Sequence, residues 1–158
     1  MNSTKLLTSL QSLLDQHLQL IELGKQKTTH LRNGNMDELR TLLIEEQRMM
    51  KLITQTEKQR IEHTSQFLGE DDHLTISACI ERLSGEEKCS FENMREQLES
   101  VMEQLIFIND LNKQLLKQGL QFASSTLNFI LPKEESFNYG KNNKFNSSER
   151  TVLFDSKI

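Results

Sequence analysis

Tryptophan is absent from this 158-residue chain, proline occurs once, and glycine only six times. So few breakers leave little to interrupt a helix, and the residues in excess (Leu, Gln, Glu and Lys) are strong helix formers. Apolar residues are also scarce, at 35%. A deep globular core is therefore excluded, whereas thin hairpins or an elongated bundle that bury stripes are not. Two cysteines, Cys79 and Cys89, are too few and too far apart for a zinc framework, and without a secretion signal they read as reduced thiols. No apolar run approaches the ~18 residues of a membrane span, and no N-terminal apolar block resembles a signal peptide. The expected location is the cytoplasm, without membrane insertion. The formal charge of −4 is spread over both signs, with no basic stripe for nucleic acid. Gly-rich phosphate loops, nucleophile elbows and Cys/His pairings are missing too, so no residue carries catalysis and no cofactor is implied.

What is present is helical periodicity. A first helix is expected over residues 4–32, with Leu6, Leu10, Leu13, Leu14, Leu18 and Ile21 on one face and Lys25 continuing the spacing. Asn33-Gly34-Asn35 ends it, and Asn35 with Glu38 reads as a capping-box variant opening the next helix. So short a turn folds the second helix, residues 36–68, back as an antiparallel hairpin. Its apolar set is Leu39, Leu42, Leu43, Met49, Met50, Leu52, Ile53 and Ile61, and residues 54–65 thin to polar, which predicts an end that projects or packs weakly. A break at Gly69 to Asp72 precedes a short helix over 75–83, capped by Thr75 with Ile76, Cys79, Ile80 and Leu83 inward. Ser84 to Glu87 turns the chain again.

The last helix, residues 86–131, is the longest, about 65 Å against about 45 Å for the first. Phe91, Met94, Leu98, Val101, Leu105, Ile108, Asn112, Leu115, Gly119 and Phe122 form a seam of coiled-coil period, with a kink expected near Gly119. A second stripe, Met102, Ile106, Leu116, Leu120, Ala123, Leu127 and Ile130, lies beside it. One stripe serves bundle packing; the second leaves apolar surface seeking a partner, concentrated in 115–131. The fold class is all-α: an elongated helical hairpin or coiled-coil bundle over 1–131. A flexible tail, residues 132–158, starts at the sole proline, Pro132, with isolated aromatics Phe137, Tyr139, Phe145 and Phe154.

Several polar groups are candidates for chemistry. Glu70 and His73 have the Glu-x-x-His spacing of di-metal bundles, but they follow Gly69 in a predicted loop and no second copy completes a site. The adjacent Glu45 and Glu46 point about 100° apart on a helix and cannot share a site. His17, His30, His63 and His73 are scattered. Asn109 and Asn112 stand on the most apolar helix, where an inward Asn sets how helices align; a polar contact to a partner is the alternative.

Four features, in order, carry a resemblance. They are Gly34 to Leu39 leading into Leu42-Leu43-Ile44-Glu45-Glu46-Gln47 with Glu57 and Arg60; Leu74-Thr75-Ile76-Ser77; Asn109-x-x-Asn112-x-x-Leu115-Leu116-x-x-x-Leu120-x-Phe122; and Tyr139-Gly140-Lys141 with the ending Phe154-Asp155-Ser156-Lys157. Together they resemble the FlgN family of flagellar export chaperones, in its Bacillus-type form. Gly119 departs from the small polar residue of the family pattern. The resemblance implies binding of the hook–filament junction proteins FlgK and FlgL and delivery to the type III export gate, whose docking subunit is FlhA. It places client binding in the C-terminal region, here Leu115, Leu116, Leu120, Phe122, Ala123, Leu127, Phe129 and Ile130; Tyr139 and Phe154, the isolated tail aromatics, are separate candidates for contact with the gate or the client. A self-associating homodimeric coiled-coil spacer is the rival reading.

Overall fold

The computed structural model describes residues 2–69 and 72–131. Four helices follow in order: α1 (Asn2–Asn33), α2 (Met36–Leu68), α3 (Ile76–Glu81) and α4 (Gly85–Ile130). Among the described residues there is no strand, and the all-α expectation holds. The tail with Tyr139 and Phe154 lies outside the described residues.

The α1–α2 turn closes through backbone. Gly34 takes φ +70°, a left-handed conformation that costs glycine little, and the Asn35 N–H donates to the His30 carbonyl at 3.0 Å. Asn35 stands at the N-cap of α2, but its side chain makes no capping bond, so the expected capping box does not form. Its φ of −80° and ψ of 81° depart from the extended cap conformation that Thr75 adopts before α3. Thr75 caps as expected, accepting from the Ala78 N–H at 3.1 Å.

Helix α1 is the common partner. It packs against both α2 and α4, whose backbones do not approach one another. Antiparallel pairing with α2 is fixed by Gln16 donating to Thr56 at 2.9 Å and by the half-buried Lys27–Glu46 ion pair at 2.5 Å. Parallel pairing with α4 is fixed at both ends: Ser3 donates to Glu87 at 3.1 Å, and Thr28 to Asn112 Oδ1 at 2.7 Å. Asn112 is only 5% exposed and also donates to the Gly24 carbonyl at 2.9 Å. A buried amide needs such partners, and this one finds both on α1. The register-setting reading of Asn112 is the one the structure supports; Asn109 is exposed.

The core joins Leu6, Leu10, Leu14 and Ile21 of α1 to Phe91, Met94, Val101, Leu105 and Ile108 of α4. Leu68, Cys79 and Ile80 close one end. Two expectations fail here. Leu18 does not join the inward face; it is 46% exposed, because α1 turns it away from α4 toward the outer edge of the α1–α2 pair. Nor does the polar part of α2 pack weakly. Thr56 and Thr64 are buried, Thr64 to 1% exposure, and their hydroxyls return to the Leu52 and Arg60 carbonyls within α2. Arg60 pairs with Glu57 and donates to the Leu74 carbonyl at 3.1 Å, and Arg82 donates to the Leu68 carbonyl. Hydroxyls and guanidinium bonds replace the missing leucines.

At Gly24, α1 and α4 approach so closely that an added Cβ would lie 2.6 Å from Ile108 Cγ2. Gly119, inside the continuous α4, has nothing within 4 Å. Gly24→Ala is therefore expected to destabilise the fold by about 1–3 kcal/mol through overpacking. Gly119→Ala should be neutral or stabilise by up to about 1 kcal/mol through helix propensity. Urea unfolding monitored by circular dichroism compares the two; equal effects would contradict the close approach.

Candidate protein-binding surface

Ser3–Glu87 and Thr28–Asn112 are separated by the same 84 positions. At that offset the last residue of α1, Asn33, falls level with Lys117. Residues 118–130 of α4 therefore project past the bundle, by about 20 Å at 1.5 Å per residue. The expected seam follows this boundary. From Phe91 to Asn112 it is buried or half-buried, Leu115 is half-buried, and Gly119 and Phe122 are exposed. Those last two lose their seam role because α1 has ended.

From Leu116, at the root of the overhang, Leu120, Ala123, Leu127 and Ile130 follow at steps of three and four along one face, and all five are exposed. Phe122 and Phe129 stand on an adjacent face, Phe129 being 91% exposed. Residues 118–131 contain no charged side chain. A solvated helix face ordinarily carries charge, so an uncharged, apolar projection makes this the candidate interaction surface. Around Leu116 and Leu120 lies a shallow groove of about 860 Å³ edged by Lys113 and Lys117.

Other surface was not anticipated. Leu18, Leu23, Met49 and Leu52 line a groove of about 860 Å³ between α1 and α2. A smaller one of about 410 Å³ is shared by three helices, with Leu20 and Lys27 of α1, Met50 and Lys51 of α2, and Asn109 of α4. Phe107 is exposed at the opposite edge of α4. One sequence signal did exist for the α2 surface. Leu42, Leu43 and Ile44 are consecutive, so they point about 100° apart and only one can face α1. Leu42 does, and its two neighbours are exposed.

The titratable groups form no reactive cluster among the described residues. No group of three or more described His, Cys, Asp or Glu residues is placed to hold a metal. Glu70 lies outside the described residues, and His73 occupies the loop before α3 at φ 56°. His17 Nδ1 lies 2.6 Å from the Leu13 carbonyl of its own helix. No described helix is long and apolar enough to cross a membrane.

Residues 1–147 match the family model described as FlgN protein. The chain belongs to the FlgN family. The uncharacterized protein YvyG of Bacillus subtilis (strain 168) is 40% identical over 159 residues, covering 99% of this chain and 99% of that protein. No solved structure matches. FlgN proteins are flagellar export chaperones, not enzymes, and their partners are flagellar hook-associated proteins. The described residues of this FlgN-family chain present an apolar overhang and shallow grooves.

The two thiols differ in a way that reports the fold. Burial pushes the Cys79 thiol up, against the opposing pull of Arg60 and Arg82, while Cys89 is exposed. A raised thiol holds less of the reactive thiolate near neutral pH. Ellman's reagent at pH 7.5 is expected to modify one thiol quickly and the second more than about tenfold slower, limited by local opening. Cys89→Ser should abolish the fast phase; equal rates for both thiols would contradict the burial of Cys79.

Proposed function

We propose that this chain binds the hook–filament junction proteins FlgK and FlgL in the cytoplasm, keeps them unassembled, and hands them to the type III export gate through its docking subunit FlhA. The observation that carries this reading is the α4 overhang, an exposed apolar helix face without charge from residue 118 to 131. Such a face costs free energy in water and gains it when covered, about 25 cal/mol per Å² of apolar area. Leu115, Leu116, Leu120, Phe122, Ala123, Leu127, Phe129 and Ile130 form the client surface in this reading. It needs no nucleotide, metal or covalent step, because holding a client apart requires only contact that is later released. Tyr139 and Phe154, in the segment after Pro132, are assigned to the gate or the client.

Replacing Leu120 and Leu127 together with Ser removes two apolar contacts from a face that has no structural partner in the bundle. Client affinity is expected to fall by at least about tenfold, since each buried leucine is worth about 1.5–3 kcal/mol. Helicity by circular dichroism should stay near wild type. The measurement is co-expression and pull-down with FlgK and FlgL. A folded double variant that retains both clients undiminished defeats this assignment. Truncation after Leu131 separates the two proposed halves: client capture should survive while FlhA association is lost.

A further inference from the structure

The two neighbours of α1 sit about a quarter turn apart around it. Gln16 and Lys27 face α2, whereas Gly24 and Thr28 face α4. That is the corner of a four-helix arrangement, in which each helix touches two neighbours and the diagonal partner completes the square. Helices α2 and α4 never approach each other, so the position diagonal to α1 is open along most of their length.

One stretch of it is filled. The backbone of α3 approaches α2 and α4 but not α1, and its Cys79 and Ile80 are buried. Helix α3 is thus a six-residue occupant of the fourth corner at the end where the chain closes. Beyond it the corner continues as the three-helix groove floored by Leu20, flanked by Met50 and Asn109. Met102 and Ile106 share this side of α4 by helical spacing, and both are exposed, as is Met50. The same side of α4 runs on through Leu116 and Leu120 onto the overhang.

The charges indicate what the corner accepts. Within the groove Lys27 and Glu46 neutralise each other. The other charged linings of the groove and its continuation are Lys51, Lys113 and Lys117, and none of the three has an ion-pair partner among the described residues. The overhang of a second copy does not satisfy them, because residues 118–131 offer no carboxylate. The segment beyond Leu131 carries five basic and four acidic side chains and brings no net negative charge.

We propose that the open fourth corner seats an amphipathic helix of a partner protein whose flanks are acidic, continuing the position that α3 begins. Its apolar stripe lies against Met50, Met102 and Ile106, and its carboxylates meet Lys51, Lys113 and Lys117. This rests on the reading of the chain as a client chaperone and extends the client surface from the overhang down into the bundle.

The test uses the full chain and two three-heptad synthetic helical peptides with the same leucine stripe, one with glutamate and one with lysine at the flanking positions. Fluorescence anisotropy at low salt should show the glutamate peptide binding at least about tenfold tighter, with the difference shrinking at high salt as the lysines are screened. Met50→Glu with Ile106→Glu, both at exposed positions, should leave helicity and the melting temperature unchanged and abolish peptide binding. Equal affinity for the two peptides, or glutamate-peptide binding that survives the double substitution, overturns the proposal. So does sedimentation of the wild type as a dimer that the double substitution dissociates, which assigns the corner to a second copy. Retention of FlgK and FlgL by the double variant overturns the corner and leaves the overhang reading intact. Specific peptide binding by a chain that retains neither client supports the corner and removes the chaperone reading.

Discussion

The buried amide of Asn112 is the constraint on which the rest of the structure depends. It must place one hydrogen bond on the Gly24 carbonyl and receive another from Thr28, and both sites lie on α1. An apolar seam alone tolerates a slip of one heptad, since leucines and valines exchange partners at little cost. A buried amide does not, because a slipped register leaves it unsatisfied. With Gly24 removing the side chain between the two backbones, the α1–α4 pair locks in one alignment. That alignment decides how far α4 outruns α1, and so determines which leucines are core and which are surface.

Much of this was legible in the sequence, because helical period, turn glycines and the inward Asn112 are local signals. Gly34, Gly69 and Thr75 act where their chemistry predicts. What was not legible depends on neighbours. Leu18 has the same spacing as Leu14 and Ile21, yet whether a residue on the stripe's edge is buried depends on the angle between α2 and α4 around α1. Thr56 and Thr64 look like surface residues until the polar stretch of α2 is seen lying along α1. The seam residues Gly119 and Phe122 follow the heptad faithfully but lie beyond the end of the helix that would cover them. The surplus stripe of α4 was evident from periodicity, whereas the fourth corner was not, since it is defined by a contact that two helices fail to make.

Family membership and geometry agree on the kind of work done. The FlgN family is a chaperone family, and this member exposes an uncharged apolar face on a helix packed against α1 at its other end. The two halves of the molecule differ in how they are held. Helices α1 and α4 join through leucine, phenylalanine and methionine, whereas α1 and α2, where Leu42 is buried, are tied in addition by hydroxyl, amide and ion-pair contacts. The apolar material of α2 is correspondingly turned outward, at Leu43, Ile44 and Met50. The sequence has few apolar residues, and it places a large share of them where the bundle itself does not need them.

The continuity of α4 has a consequence for how its projecting end is ordered. An isolated helix as short as the overhang would be marginal in water, because forming the first turn is the unfavourable step, with a nucleation constant of about 10⁻³. Here that step is already taken by the packed part of α4, and the overhang needs only to propagate residue by residue. Its order therefore declines from root to tip, and Gly119, just beyond the last level of α1, is the weakest propagating residue. A molecule that covers the root meets a helix already formed, while one that reaches the tip must also complete the winding. The cost of ordering is thus graded along the surface, least beside the bundle and greatest at the tip.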